Sequence, residues 1–563
     1  MKMIGRALAL LSAVVVFIPT TDAQIFTTVD GGNETRVLDG LINDLSGSRL
    51  YVGKTTSGNA LHIVNGGKAY NTLGYVGQSS SSANNSAWIV GSGSVWSNTV
   101  SFSVGEGYSD GNQLLIELGG RLNGGGAVRV GAVCHNNSAI IRDVGSVLET
   151  AGEVAVGNGG DHNSLSILNG GEIICGGSGT VGSSGSNNQL LISGTGSKWV
   201  MNAEYSALSA GDYSGGPSCT NNRIRIENGG AAISGYGKIG GGGGSAFVNY
   251  NSITVSGSNS TWTMSGYLEV GSVRAIGNRL FIENGAAVSN TDAYVGTGTR
   301  FDPHDNRVTV TGAGSVWTSA GEIFVGERWG DPHGANNALY IEDSASAFAK
   351  AVTVNSGCSP YNSRMVVSGG FLATENITIK GYANYIALTN AVLRWTSQTN
   401  AAPFMTLGSW ERFSGTNQIQ IAVSSRSAME NVSLDLMSGL DDPADTNLFT
   451  VLFLDTSADQ LYRPEGATYT FETNSATWSI TTDGNTEFVP TPPVPTLFIE
   501  ISDGNVNIEA LYLPEEPPLH LQSSTNLVSG SWSNLYQTSG TTSTNWSIPL
   551  PTEPDTYYRL QSD

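Results

Sequence analysis

Two loops of the sequence hold residue types that could do chemistry. GTRFDPHD (298–305) and GERWGDPHG (326–334) each carry Asp-Pro-His, at matching places in neighbouring repeats. Asp302, His304 and Asp305 would then stack near Asp331 and His333, with Arg300, Arg328 and Trp329 close by. Imidazoles and carboxylates gathered in this way bind a divalent metal or serve as acid and base on a polysaccharide. The same pattern also arises when a loop is copied with its repeat, Asp-Pro simply starting a turn. No cofactor is required, although a divalent cation such as calcium fits the loops' residue types. Other motifs fail. GGGGG at 240–244 lacks the Lys-Ser/Thr of a phosphate loop, and Cys134, Cys175, Cys219 and Cys358 form no CxxC pair.

These loops hang on a repeat. Its core is an asparagine, two further residues, any residue, then Ile or Val, with the middle position apolar or small. Copies begin at Asn59, Asn85, Asn112, Asn137, Asn163, Asn188, Asn222, Asn251, Asn278, Asn306 and Asn337, with gaps of 25 to 34 residues; a weaker twelfth starts at Asn362. Repeats of this period mean a solenoid, propeller or array. A short strand precedes each copy and usually ends in glycine, as in YVG at 51–53, AVG at 155–157 and EVG at 269–271. No apolar 3.6-residue period runs longer than a turn or two, so the repeat is all-β. A right-handed parallel β-helix of about twelve coils explains the residue types. Strands of successive coils stack about 4.8 Å apart, giving a rod of about 60 Å. Equivalent asparagines then hydrogen-bond along the axis, and glycines take the positive φ of sharp corners.

Coils alternate in pairs. One kind continues into N-G-G or a relative (Asn65, Asn169, Asn228, Asn284). The other continues into G-x-G-S-x-W or a relative, ending at Trp96, Trp199, Trp262 and Trp317, with Leu148 in the same place once. A large ring filling a recurring corner is the packing explanation of the tryptophans; an aromatic platform for sugars is the functional one.

NRVTVTGAGSVW (306–317), NRLFIENGAAV (278–288) and NSLSILNGGEI (163–173) resemble the repeat shared by type V autotransporter passengers and PEP-CTERM-associated proteins. The resemblance covers about residues 50–375. It implies an exported, surface-associated β-helical protein of a bacterium, often adhesive, and carries no fixed chemistry or catalytic residues.

The rest of the chain fits export. Residues 1–23 read as a signal peptide: Lys2 and Arg6, the apolar run 7–18, and small residues around Ala23. No later segment is apolar enough to cross a membrane. A net charge of −21 repels nucleic acid and anionic lipid. The sequence divides into a repeat β-helix with terminal coils (24–408), a β-rich cap region (409–513) broken by VPTPPVP at 489–495, and a small C-terminal β-sandwich-like module (514–563) resembling fibronectin-type-III-like modules. The expected function is that of a secreted, non-enzymatic surface or matrix solenoid in adhesion, glycan binding or structure. Its partners would be polysaccharide or cell-surface components. The alternative is a β-helical polysaccharide lyase or hydrolase using the loop face around 300–333.

Overall fold

Each coil of the repeat contributes short strands to a parallel β-solenoid, seen here in a computed structural model. The described residues run from 25 to 562. Outside them lie residues 1–24, the loops 213–218, 242–246, 298–302, 327–334, 356–361, 381–383 and 397–402, and most connections after 407; beyond 423 mainly strands are described. No helix occurs among the described residues.

The strands that follow the asparagines form one fifteen-stranded sheet, paired in sequence order from Thr35–Asp39 to Glu411–Ser414. Three of them lie beyond the twelve motif copies: the first, Tyr385–Thr389, and the last. The remaining strands of each coil stack on their own equivalents, for example Glu172–Cys175 on Lys198–Met201 and Val154–Asn158 on Gly179–Ser183. Alternation puts every second side chain inside. In Ser164–Leu168 the pattern runs half-buried, buried, half-buried, with Leu165 and Ile167 in the core.

The asparagines are fully buried from Asn59 to Asn337. From Asn59 to Asn306 each passes hydrogen bonds to the next coil in one direction. The backbone N–H and the Nδ2 of Asn163 both donate to Oδ1 of Asn188, at 2.9 and 3.1 Å, and Asn188 does the same to Asn222 at 2.9 and 3.1 Å. The remaining Nδ2 proton goes to a nearby carbonyl, that of Cys134 for Asn163 and of Gly160 for Asn188. At these coils the buried amide is thereby fully used. The twelfth copy differs from the sequence expectation. Ser363, not the exposed Asn362, holds the inward place, because Arg364 and not Ser363 is the register partner of Ala338. Ser363 N–H then donates to Asn384.

Pairs of coils alternate for a local reason. In the N-G-G coils Asn65, Asn169, Asn228 and Asn284 all have positive φ, which turns the amide of the next glycine inward. The serine of the following G-S-x-W coil accepts that N–H: Gly66 to Ser94 at 3.1 Å, Gly170 to Ser197, Gly229 to Ser260 and Gly285 to Ser315 at 3.0 Å. At the N-terminal end Asp30 accepts the N–H groups of Lys54, Thr55 and Thr56. Partial burial opposes ionisation of Asp30, but these bonds and two threonine hydroxyls prevail and hold its carboxyl at about 2.

The chain falls into two compact units. In the first, parallel pairing continues past residue 408, with Val392–Trp395 on Asn417–Val423 and Ser433–Leu440 on Thr468–Thr473. In the second, two three-stranded antiparallel sheets form. One joins Thr496–Ser502, Asn505–Leu511 and Ser543–Pro549, so its pairing spans residue 514; the other joins Leu519–Ser524, Ser533–Thr538 and Tyr557–Ser562.

Candidate functional site

Of the Asp-Pro-His cluster, Asp302, Asp331 and His333 lie outside the described residues, as do Arg300, Arg328 and Trp329. His304 and Asp305 are described. The His304 Nδ1 sits 2.8 Å from Asp305 Oδ2, and the backbone of His304 bridges Ile276 on one side and Ala335 on the other. Asp305 has a φ of 60°, as expected where the chain bends back into the asparagine strand. Among the described residues no three His, Cys, Asp or Glu side chains come together in a way that could hold a metal ion. Cys134, Cys175 and Cys219 are buried free thiols, and burial pushes each up to about 11. They are not poised as nucleophiles. Cys358 lies outside the described residues.

The four repeat tryptophans, Trp96, Trp199, Trp262 and Trp317, are 0% exposed and offer no ring face to a sugar. Each indole N–H donates to the coil before: Trp96 to Asn71 and Trp317 to Asn290, at 2.6 and 2.7 Å, Trp199 to the Cys175 sulfur and Trp262 to Ser234, both at 3.2 Å. Leu148 takes the same interior place.

A different set of rings faces outward. Tyr205, Tyr236, Tyr267, Tyr294 and Phe324 come from five consecutive coils. Their centroids lie 6.2, 4.6, 5.8 and 5.7 Å apart in order. Tyr205 is 73% exposed and the other four are half-buried. The ladder runs for about 19 Å along the rod. The strands before each asparagine loop, and the turns that lead into them, position it. Burial of Gly237, Leu268, Ala293 and Ile323 turns their neighbours outward, and Tyr294 and Phe324 are register partners. The row continues toward the N-terminus through Glu269, Lys238, Ser209, Thr180, Ala155, Arg129 and Ser103 to a second stack, Tyr75 on Tyr51, with centroids 5.2 Å apart and planes 9° from parallel. Of the ladder, Tyr294 and Phe324 share this row with the second stack, and Ser103, Ala155 and Ser209 between them are buried.

Lys238 and Glu269 are register partners inside the longer ladder. Burial pushes the Glu269 carboxyl above its usual range, with Lys238 pulling the other way. Burial likewise raises the Tyr267 hydroxyl, so it stays a neutral donor. A raised folded value means the folded state prefers the protonated acid. The stability it contributes is present at acid pH and lost as pH rises through the folded value. Glu269→Gln is therefore expected to raise the thermal midpoint at neutral pH and to match the parent below about pH 4. Equal midpoints at neutral pH would contradict this.

What the ladder from Tyr205 to Phe324 offers chemically is a strip of largely half-buried π-faces with hydroxyl donors. Such faces pack on the C–H face of a sugar ring, while the hydroxyls bond its polar rim. Spacing close to one ring per coil suits an extended polymer rather than one small molecule.

No protein-family model matches the chain, and no curated protein does. Among solved structures the chain is similar to a TibC-catalysed hyper-glycosylated fragment of TibA, at 13% sequence identity and a TM-score of 0.34, over 63% of this chain and 98% of that fragment.

Proposed function

We propose that this is an exported, non-enzymatic β-solenoid that holds a polysaccharide along its outward aromatic ladder, at the cell surface or in the extracellular matrix. The observation that carries the reading is the run of five rings from Tyr205 to Phe324, one per coil, at 4.6 to 6.2 Å. The signal-like residues 1–23 and the resemblance to surface-associated repeats support the location.

Tyr236, Tyr294 and Phe324 stand on strands paired on both sides, and Tyr267 directly precedes one, which holds most of the ladder in place. A rigid row loses little entropy when a chain docks on it. A neutral or weakly acidic polymer suits a face with both Lys238 and Glu269 on it.

Replacing Tyr236 and Tyr267 together by alanine removes the two central faces. Each stacked ring is worth about 0.5–1.5 kcal/mol beyond its area, so the dissociation constant for the retained polymer is expected to rise roughly tenfold or more. Both side chains are half-exposed, so the unfolding midpoint should move little. Affinity-gel electrophoresis in polysaccharide gels reads the first and chemical denaturation the second. Unchanged retention with a folded variant would remove the ladder as the binding face.

A further inference from the structure

The outer face of the fifteen-stranded sheet segregates its charge, and we infer that it is the contact face of a homodimer in which two rods lie side by side and parallel. Three rows point outward on this sheet. The first row, read along the register, contains Arg223, Arg279, Arg307 and Arg364 and no acid. The last row, four residues on, contains Asp39, Glu117, Glu227, Glu283 and Glu342. Its one cation, Arg142, is already bonded to Glu117. The row between them is largely apolar or aromatic: Val37, His62, Trp88, Leu115, Ile140, Leu191, Phe281, Tyr340 and Val366. None of these nine is fully buried; Val37 is 44% exposed, and the rings of His62 and Trp88 stack in parallel 4.2 Å apart.

Elsewhere on the rod, opposite charges pair between adjacent coils, as Arg121 with Glu149, Lys198 with Glu172 and Arg129 with Glu153. On this sheet they are kept apart in lanes. The arrangement is unfavourable within one chain: Arg279 and Arg307 are direct register partners, and like charges so placed repel. Arg307 turns aside, its Nε 2.7 Å from Thr309 and its guanidinium 3.7 Å from the Tyr340 ring centre. The side chains of Arg279 and Glu283 have no hydrogen bond or ion pair among the described residues.

A two-fold axis running along the rod over the central row removes the problem. It keeps each coil at its own height and exchanges the two margins. Phe281 then meets Phe281 of the second copy, and Arg279 meets Glu283. In the same way Arg223 meets Glu227, while Arg225 in the central row stays bonded to Glu227 of its own strand. An axis at right angles to the rod would set arginine on arginine. The charge pattern therefore selects the parallel arrangement, and apolar side chains line the seam. Fourteen coils of a five-residue strand present on the order of 1,000 Å² per copy, against about 800 Å² per partner in a stable specific interface.

Sedimentation velocity of the full chain tests this. A dimer is expected at micromolar concentration. Arg279→Glu alone sets acid against acid, and Glu283→Arg alone sets base against base; each should weaken the dimer about tenfold or more. The double variant restores opposite charges across the axis and should recover the parent dissociation constant. Both positions lie on the outer face, and an unchanged unfolding midpoint confirms that each variant is folded. A monomer throughout the range would overturn the proposal. So would a dimer that the single changes leave intact, or one that the double change fails to restore.

Discussion

Asn188→Ala is expected to lower the unfolding free energy by about 4 kcal/mol, because it strands buried donors on a neighbour as well as losing its own bonds. The Asn188 Oδ1 is the acceptor for two N–H groups of Asn163, and its Nδ2 donates to Asn222 and to the Gly160 carbonyl. Alanine keeps the backbone but leaves the Asn163 N–H without a partner in a site that water does not reach. Each buried unsatisfied group costs about 1–3 kcal/mol. The bonds all run one way along the stack, so neighbours polarise one another and a break in the middle is felt on both sides. The exposed Asn202 provides the contrast: its alanine variant should stay within about 0.5 kcal/mol of the parent. Guanidinium titration compares the two. A shift at Asn188 no larger than that at Asn202 would mean that the ladder is ornamental.

Gly182→Ala is expected to be at least as damaging, by a different route. Gly182 has a φ of 79°, where a side chain costs about 1–2 kcal/mol. A Cβ there would also overlap the side chain of Asn222, which the ladder holds in place. Relief requires moving Asn222, so the strain adds to broken hydrogen bonds and the loss should exceed about 4 kcal/mol. Gly47 separates the two causes. Its φ is 93°, but nothing lies within 4 Å of a Cβ built there, so alanine should cost the backbone strain alone. The measurement is again the unfolding midpoint, with hydrogen exchange locating the weakened coils. Similar losses at Gly47 and Gly182 would show that φ alone sets the demand for glycine.

Period, alternation and the inward asparagines could be read directly, because the same side chain recurs at the same place. The glycines of the VG strands were legible only in part. Their positive φ follows from the sharp corner, but the second reason does not: Gly53, Gly131, Gly157 and Gly182 leave room for Asn85, Asn163, Asn188 and Asn222, more than a coil ahead. That contact exists only once the coils are stacked. The first coil hid for a related cause. Glu34 stands where an asparagine would, and only its backbone N–H uses the ladder, at 3.2 Å from Asn59 Oδ1. The tyrosine ladder left no periodic trace. Tyr205 lies six residues before the glycine of its strand, Tyr236 and Tyr267 four, Tyr294 and Phe324 two. Rings meet because long side chains reach across register, so no fixed spacing announces them. The tryptophans, by contrast, recur at a fixed distance because they serve the core. The Asp-Pro-His loops remain a sequence expectation, with only the His304 and Asp305 pair placed.

The most direct test of the central claim is to incubate the purified protein with a panel of neutral and acidic polysaccharides, with and without calcium, and to follow retention and the release of new chain ends together. A binding rod predicts retention on at least one polymer, no new ends, and the same result for His304→Ala. New chain ends that disappear in His304→Ala would contradict it and make the loop face around 300–333 an active site. Retention on none of the polymers would contradict it as well.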